Sequence, residues 1–128
     1  LLDSVVVLLS QTSTYCNWTV KQICNNIIPP IYLKQYVGII EDKQLKAWVT
    51  WAFLSKETSE LFLDGKYKLQ PKDWDSGTYL VFMDFVAPYG HTKKLHRLCY
   101  NIFKDYPYRK VRWRRHIKNK RVGVNVYV

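Results

Sequence analysis

The residue of this 128-residue chain best placed to do chemistry is Asp84. It stands in DWDSGTYLVFMDFVAPYG, residues 73–90, where a polar turn feeds a long apolar run that Pro88 and Gly90 stop. Strict alternation from Tyr79 to Ala87 puts Tyr79, Val81, Met83 and Phe85 on one face of a strand, and Leu80, Phe82, Asp84 and Val86 on the other. A carboxylate among such side chains costs several kcal/mol unless something pairs with it or it takes up a proton. Asp84 is therefore either a structural acid held by backbone N–H groups or a nearby arginine, or a carboxylate at a strand end that polarises a catalytic group.

Other reactive types are sparser. Cys16, beside Tyr15, would be a nucleophile only if a distant histidine approached it in the fold. His91 and His96 read most simply as helix-surface residues, and with His116 they lack the Cys or Glu neighbours that a metal site requires. No metal is expected. The run RKVRWRRHIKNKR alternates Arg109, Val111, Trp113 and Arg115 with Lys110, Arg112, Arg114 and His116. It reads as a solvated edge strand guarded by charge, as a docking face for an acidic protein, or as a nucleic-acid groove in which Trp113 stacks. No helix-turn-helix, zinc-finger or ribonucleoprotein motif supports the last of these.

The elements that must position these residues follow from spacing and punctuation. Leu1 to about Ser13 reads as a short helix, with a strand as the alternative because Val5–Val7 is β-branched. Thr19 caps a second helix whose Val20, Ile23, Cys24, Ile27 and Ile28 share a face, and Pro29-Pro30 ends it. Tyr36 to Ile40 and Leu45 to Leu54 form a hairpin about Glu41-Asp42-Lys43. Ser55 caps a helix to about Leu63, with Glu57 in its first turn. After the central strand, His91 to Phe103 shows a helical face of Leu95, Leu98, Cys99, Ile102 and Phe103. Strands near Arg109 to Arg115 and Val122 to Val128 close the chain. The order predicts one α+β domain over residues 1–128, a central, mostly antiparallel mixed sheet flanked by helices.

Composition bounds the class. A chain of this size buries roughly 70% of its extended surface, and with 48% apolar residues it is not disordered. Ten Tyr and five Trp exceed what a small core needs, so some rings should line a pocket or a partner surface. Cys16, Cys24 and Cys99 are odd in number and without framework spacing, as free thiols of a reducing compartment are. The opening LLDSVVVLL is nine residues long, carries Asp3 and lacks a basic leader, so neither a signal peptide nor a membrane span is expected. The missing initiator Met suits a trimmed piece. Net charge is +10, and twelve of the twenty basic residues lie from Lys93 onward against one acid, Asp105. Such a field draws an anionic partner.

The ordered set Asp73-Trp74, Ser76-Gly77, Phe82-Met83-Asp84 and Ala87-Pro88-Tyr89-Gly90 resembles the toxin-activating lysine acyltransferases. Ala47 to Ala52 (AWVTWA), continuing through Leu54-Ser55 and Glu57, supports the likeness. Asn17-Trp18, Ile27-Ile28-Pro29 and Arg109-Lys110-Val111-Arg112 add weaker matches. The resemblance implies a cytoplasmic, usually dimeric enzyme related in fold to the acetyltransferase superfamily. It implies transfer of a fatty acyl chain from acyl-acyl carrier protein to an internal lysine of a pore-forming toxin or similar protein, with no bound cofactor. A homodimer is expected, with an acidic acyl carrier protein and a lysine-bearing acceptor as partners; nucleic acid is disfavoured.

The family pairs an Asp with a His that stands three residues before a Trp. The Asp falls on Asp84, whereas the His position holds Tyr15, in YCNW. The C-terminus is also shorter than the family's. Three accounts stay open: Asp84, alone or with Tyr15, accepts the amine proton; a histidine from elsewhere, His91 being nearest in sequence to Asp84, does so; or the domain binds an acidic partner without catalysis. The site expected from the resemblance comprises Asp84 and Tyr15 as catalytic residues. Trp18, Trp51, Ser76, Phe82, Tyr89 and His91 are expected around the substrate, and Arg109, Arg112, Arg114 and Arg115 at a partner-docking face.

Overall fold

A computed structural model describes residues 1–105 in full and, beyond them, the backbone of residues 110–117 and 120–127. Helix α1 spans Leu2–Ser10, α2 Val20–Asn26 and α3 Ile28–Leu33. The hairpin β1 (Tyr36–Glu41) and β2 (Gln44–Leu54) follows, then α4 (Lys56–Leu63) and a 3-10 turn, Pro71–Asp73. Strand β3 (Tyr79–Val86), helix α5 (Thr92–Phe103) and strands β4 (Lys110–Ile117) and β5 (Lys120–Tyr127) complete the chain. The expected α+β domain with a mostly antiparallel mixed sheet is what forms. The strand order is β1-β2-β3-β4-β5, antiparallel throughout except for the parallel pairing of β3 with β4 at Val81↔Arg112 and Phe82↔Trp113.

Local chemistry explains most boundaries. Thr19 and Gln22 make a reciprocal capping box, each side chain accepting from the other's backbone N–H at 3.1 and 2.8 Å. Ser55 Oγ accepts from Thr58 N at 3.2 Å and starts α4. Asp42 and Lys43 both adopt positive φ, 53° and 62°, which gives the two-residue turn whose twist matches the hairpin arms.

The helices sandwich the sheet. On one face, Val5, Leu8 and Leu9 of α1, with Ile27, pack on Trp48 and Val86, while Phe62 and Leu63 of α4 pack with Ala52, Leu54, Val81 and Met83. On the other face, Leu95, Cys99 and Phe103 of α5 cover Val49, Trp51, Leu80 and Phe82. Each such side chain fully buried contributes about 1.5–3 kcal/mol.

Four expectations need correction. Pro29-Pro30 does not end helical structure; the pair opens α3 in its first turn, where a missing N–H costs nothing. The face expected of α2 is buried only in part: Val20 is 78% exposed and Cys24 is exposed, while Ile27 reaches the core and Ile23 packs against it. Ile102 is likewise exposed on α5. Strand β4 is not an edge: it lies between β3 and β5, so its backbone is paired on both sides.

Candidate active site

Strict alternation also fails in β3, at the residue that matters. Val49 of β2 faces Phe85 and Trp51 faces Phe82, so the single residue Thr50 is opposed by two, Met83 and Asp84. This is a β-bulge. It turns the strand so that Phe85 joins Leu80 and Phe82 beneath α5, its ring 4.9 Å from that of His96, while Val86 returns to the α1 face. A bulge re-aims a side chain and is common beside active sites. Here it sets Asp84, 2% exposed, into the row of Thr50, between the α1 and α4 clusters.

Tyr15 reaches this face from the turn after α1. The turn is held by Tyr15 N donating to Thr12 Oγ1 at 3.1 Å and by Trp18 N donating to the Tyr15 carbonyl at 3.1 Å. Tyr15 is buried with Trp48 and Val86, the pair one step beyond the bulge, and its ring meets Trp18 edge-on at 4.8 Å. The two expected catalytic positions thus lie on one sheet face, in neighbouring rows. Trp18 in turn lines an open cleft of about 480 Å³ with Gln22, Asn25, Asn26, Tyr67 and Lys68.

The remaining expected residues divide. Trp51 and Phe82 lie on the opposite face, packed edge-on against each other and against Phe103 beneath α5, where they act as core. Ser76 is structural: its Oγ donates to the Asp73 carbonyl at 2.7 Å and its N–H to the Phe53 carbonyl at 2.8 Å. Tyr89 lies under Lys46 Nζ, 4.7 Å from its ring centre, on a cleft of about 380 Å³ between α1 and the hairpin turn. His91 Nε2 lies 2.7 Å from Glu41 Oε1, a pairing that ties the start of α5 to the end of β1 and holds the Glu41 carboxyl below its ordinary range. Arg109 lies outside the described residues, as do the side chains of Arg112, Arg114 and Arg115, whose backbone belongs to β4. Among the described residues no group of three His, Cys, Asp or Glu side chains gathers as a metal site.

Sequence reasoning missed Thr50 and Trp48. Both are 0% exposed, and among the described residues neither Thr50 Oγ1 nor Trp48 Nε1 has a hydrogen-bond partner. The signal was slight, one hydroxyl inside AWVTWA, and its meaning depends on the bulge opposite.

Comparison with known proteins places this geometry. The chain is 31% identical over 111 residues to the protein-lysine myristoyltransferase RtxC of Kingella kingae, covering 87% of this chain and 66% of that protein. It is 29% identical over 127 residues to the leukotoxin-activating lysine-acyltransferase LktC, serotype A1, of Mannheimia haemolytica, covering 99% and 75%. With the protein-lysine myristoyltransferase HlyC of Escherichia coli it shares 31% over 112 residues, covering 88% and 66%. The chain thus spans about two thirds to three quarters of these relatives. The sequence model of the RTX toxin acyltransferase family (HlyC) matches residues 1–127, and with the match running through the bulged strand and both its neighbours, the chain belongs to that family.

Proposed function

We propose that this chain is an acyl-transfer domain moving a fatty acyl group from acyl-acyl carrier protein to the ε-amine of an internal lysine in a toxin-like protein. The observation that carries the reading is the buried Asp84 carboxylate, set by a bulge into the sheet face that Tyr15 also reaches. The neutral lysine nitrogen attacks the thioester carbonyl carbon, the C–S bond breaks and the carrier thiolate leaves. The proton shed by the amine passes to Asp84, directly or through the Tyr15 hydroxyl, and from there to the thiolate, giving an amide and a free thiol. Apolar clusters beside the row suit an acyl chain, each buried methylene contributing about 0.8 kcal/mol.

The net charge of +10 suits capture of an acidic carrier, and the free cysteines suit the cytoplasm. The chain would act there as a homodimer. A second reading has its own observation. The resemblance implies a catalytic histidine at the position of Tyr15, and a phenol of ordinary pKa about 10 is a poor base near neutrality. On that reading the chain captures an acidic partner without turning it over.

Intact-mass analysis of a lysine acceptor incubated with long-chain acyl carrier protein separates the two. Transfer by the parent, with a loss of roughly 10²-fold or more in Asp84→Asn, supports catalysis. An inert parent that gains activity on Tyr15→His establishes the binding-only reading.

A further inference from the structure

We infer that Thr50 Oγ1 and Trp48 Nε1 are the hydrogen-bond donors that receive the carbonyl oxygen of the acyl group during transfer, an inference that rests on the acyl-transfer reading above. Buried polar atoms in folded proteins nearly always have partners, so an orphaned donor calls for a physical reason. Within residues 1–105, Trp48 Nε1, Thr50 Oγ1 and Trp74 Nε1 are buried donors without one. All three lie on the same side of the sheet: Trp48 in the α1 cluster, Trp74 in the α4 cluster and Thr50 between the two. Thr50 and Trp48 are alternate residues of β2, so their side chains leave the same face one row apart. Thr50 stands opposite the bulge that holds Asp84, and Trp48 stands opposite Val86 in the cluster that holds Tyr15.

That arrangement matches the charge that acyl transfer develops. As the amine nitrogen bonds to the thioester carbon, the carbonyl π pair moves onto oxygen, and when the C–S bond breaks the pair returns to re-form C=O. Asp84 takes the amine proton on β3, while on β2 Thr50, opposite the bulge, and Trp48, one row along and stacked on Tyr36 at 4.8 Å, hold the oxygen. Donors held in place by the packed sheet need not reorganise when the charge appears, and away from water each hydrogen bond is stronger. Trp48 and Thr50 are sealed from solvent, so the entering acyl group must displace packed side chains of the α1 cover. Trp74, one cluster away, takes no part.

Thr50→Val tests this, because it removes the hydroxyl and keeps the shape. A donor to the transition-state oxygen predicts a fall in kcat of about 10²-fold with little change in KM. The melting temperature should stay level or rise, since an orphaned buried hydroxyl has been removed. Trp48→Phe should also lower kcat, and Trp74→Phe should not. A second measurement does not need turnover: the infrared stretch of a carbonyl-¹³C acyl carrier bound to the full chain. In the parent it should sit below its apolar-solvent frequency, and Thr50→Val should move it back. Bound acyl carrier with the same frequency in parent and Thr50→Val would overturn the donor role while leaving acyl transfer standing. A hydroxyl satisfied by a buried water instead predicts an unchanged kcat and a lowered melting temperature, and either result also overturns it. A chain that binds no acyl carrier at all removes both the acyl-transfer reading and this inference.

Discussion

At the scale of single residues, environment separates groups of the same type. Cys99 is buried against the sheet, and burial pushes its thiol up to about 11, whereas Cys16 and Cys24 are exposed. The thiolate is the species that reacts. At mildly alkaline pH, Cys16 and Cys24 should therefore label quickly with a thiol reagent, and Cys99 only when denaturant opens the α5 core; prompt labelling of all three in the native chain would contradict the packing. The Glu41 carboxyl is held below its ordinary value of 4.5, first by the hydrogen bond with His91. A carboxyl depressed in the folded state adds stability above its unfolded pKa and loses it as pH falls through the folded value. Parent and Glu41→Gln should thus differ in melting temperature near pH 7 and converge in acid, as the pH falls through the folded carboxyl's lowered value. A gap that persists in acid would place the effect elsewhere.

Among elements, the Asp73–Gly77 turn holds β3 in place. The Asp73 carboxylate accepts from Tyr67 OH at 2.6 Å and from Gln70 N at 2.7 Å. The tyrosine's pKa is raised in consequence, chiefly by that bond. Trp74 is fully buried, and its carbonyl accepts from Phe53 N at 2.9 Å. Gly77 then passes so close to β2 that an added Cβ would fall on the carbonyl oxygen of Leu54 and the nitrogen of Ser55. Because the obstacle is backbone, Gly77→Ala should destabilise the fold by about 1–3 kcal/mol in denaturant titration. A neutral result would mean that this crossing has slack. The first half of the motif that carries the family likeness thus anchors the strand, and its second half holds Asp84, the expected catalytic acid.

On the scale of the whole molecule, charge and layering decide what approaches and where. The exposed side of α5 carries Lys93, Lys94 and Arg97 with no acid among its twelve residues, and Lys104 caps its end. On the acyl-transfer reading proposed above, paired Lys93→Glu and Arg97→Glu changes should raise KM for acyl carrier protein about tenfold with kcat kept, and added salt should mimic them in the parent; a KM indifferent to both would show that α5 does not dock the carrier. No helix among the described residues is long and apolar enough to cross a membrane. The sequence alone determined the α+β class, the hairpin, the caps at Thr19 and Ser55, and a carboxylate inside the central strand, because these depend on side-chain period, turn chemistry and short-range hydrogen bonds. It also carried the family likeness, through the order of motifs along the chain. Only the tertiary structure decided that Thr50 faces two residues of β3, that Phe85 and Val86 exchange faces relative to strict alternation, that Trp51 and Phe82 are core, and that β4 lies inside the sheet. Those outcomes depend on which strands pair and in what register, an energy shared between segments tens of residues apart that no local window contains.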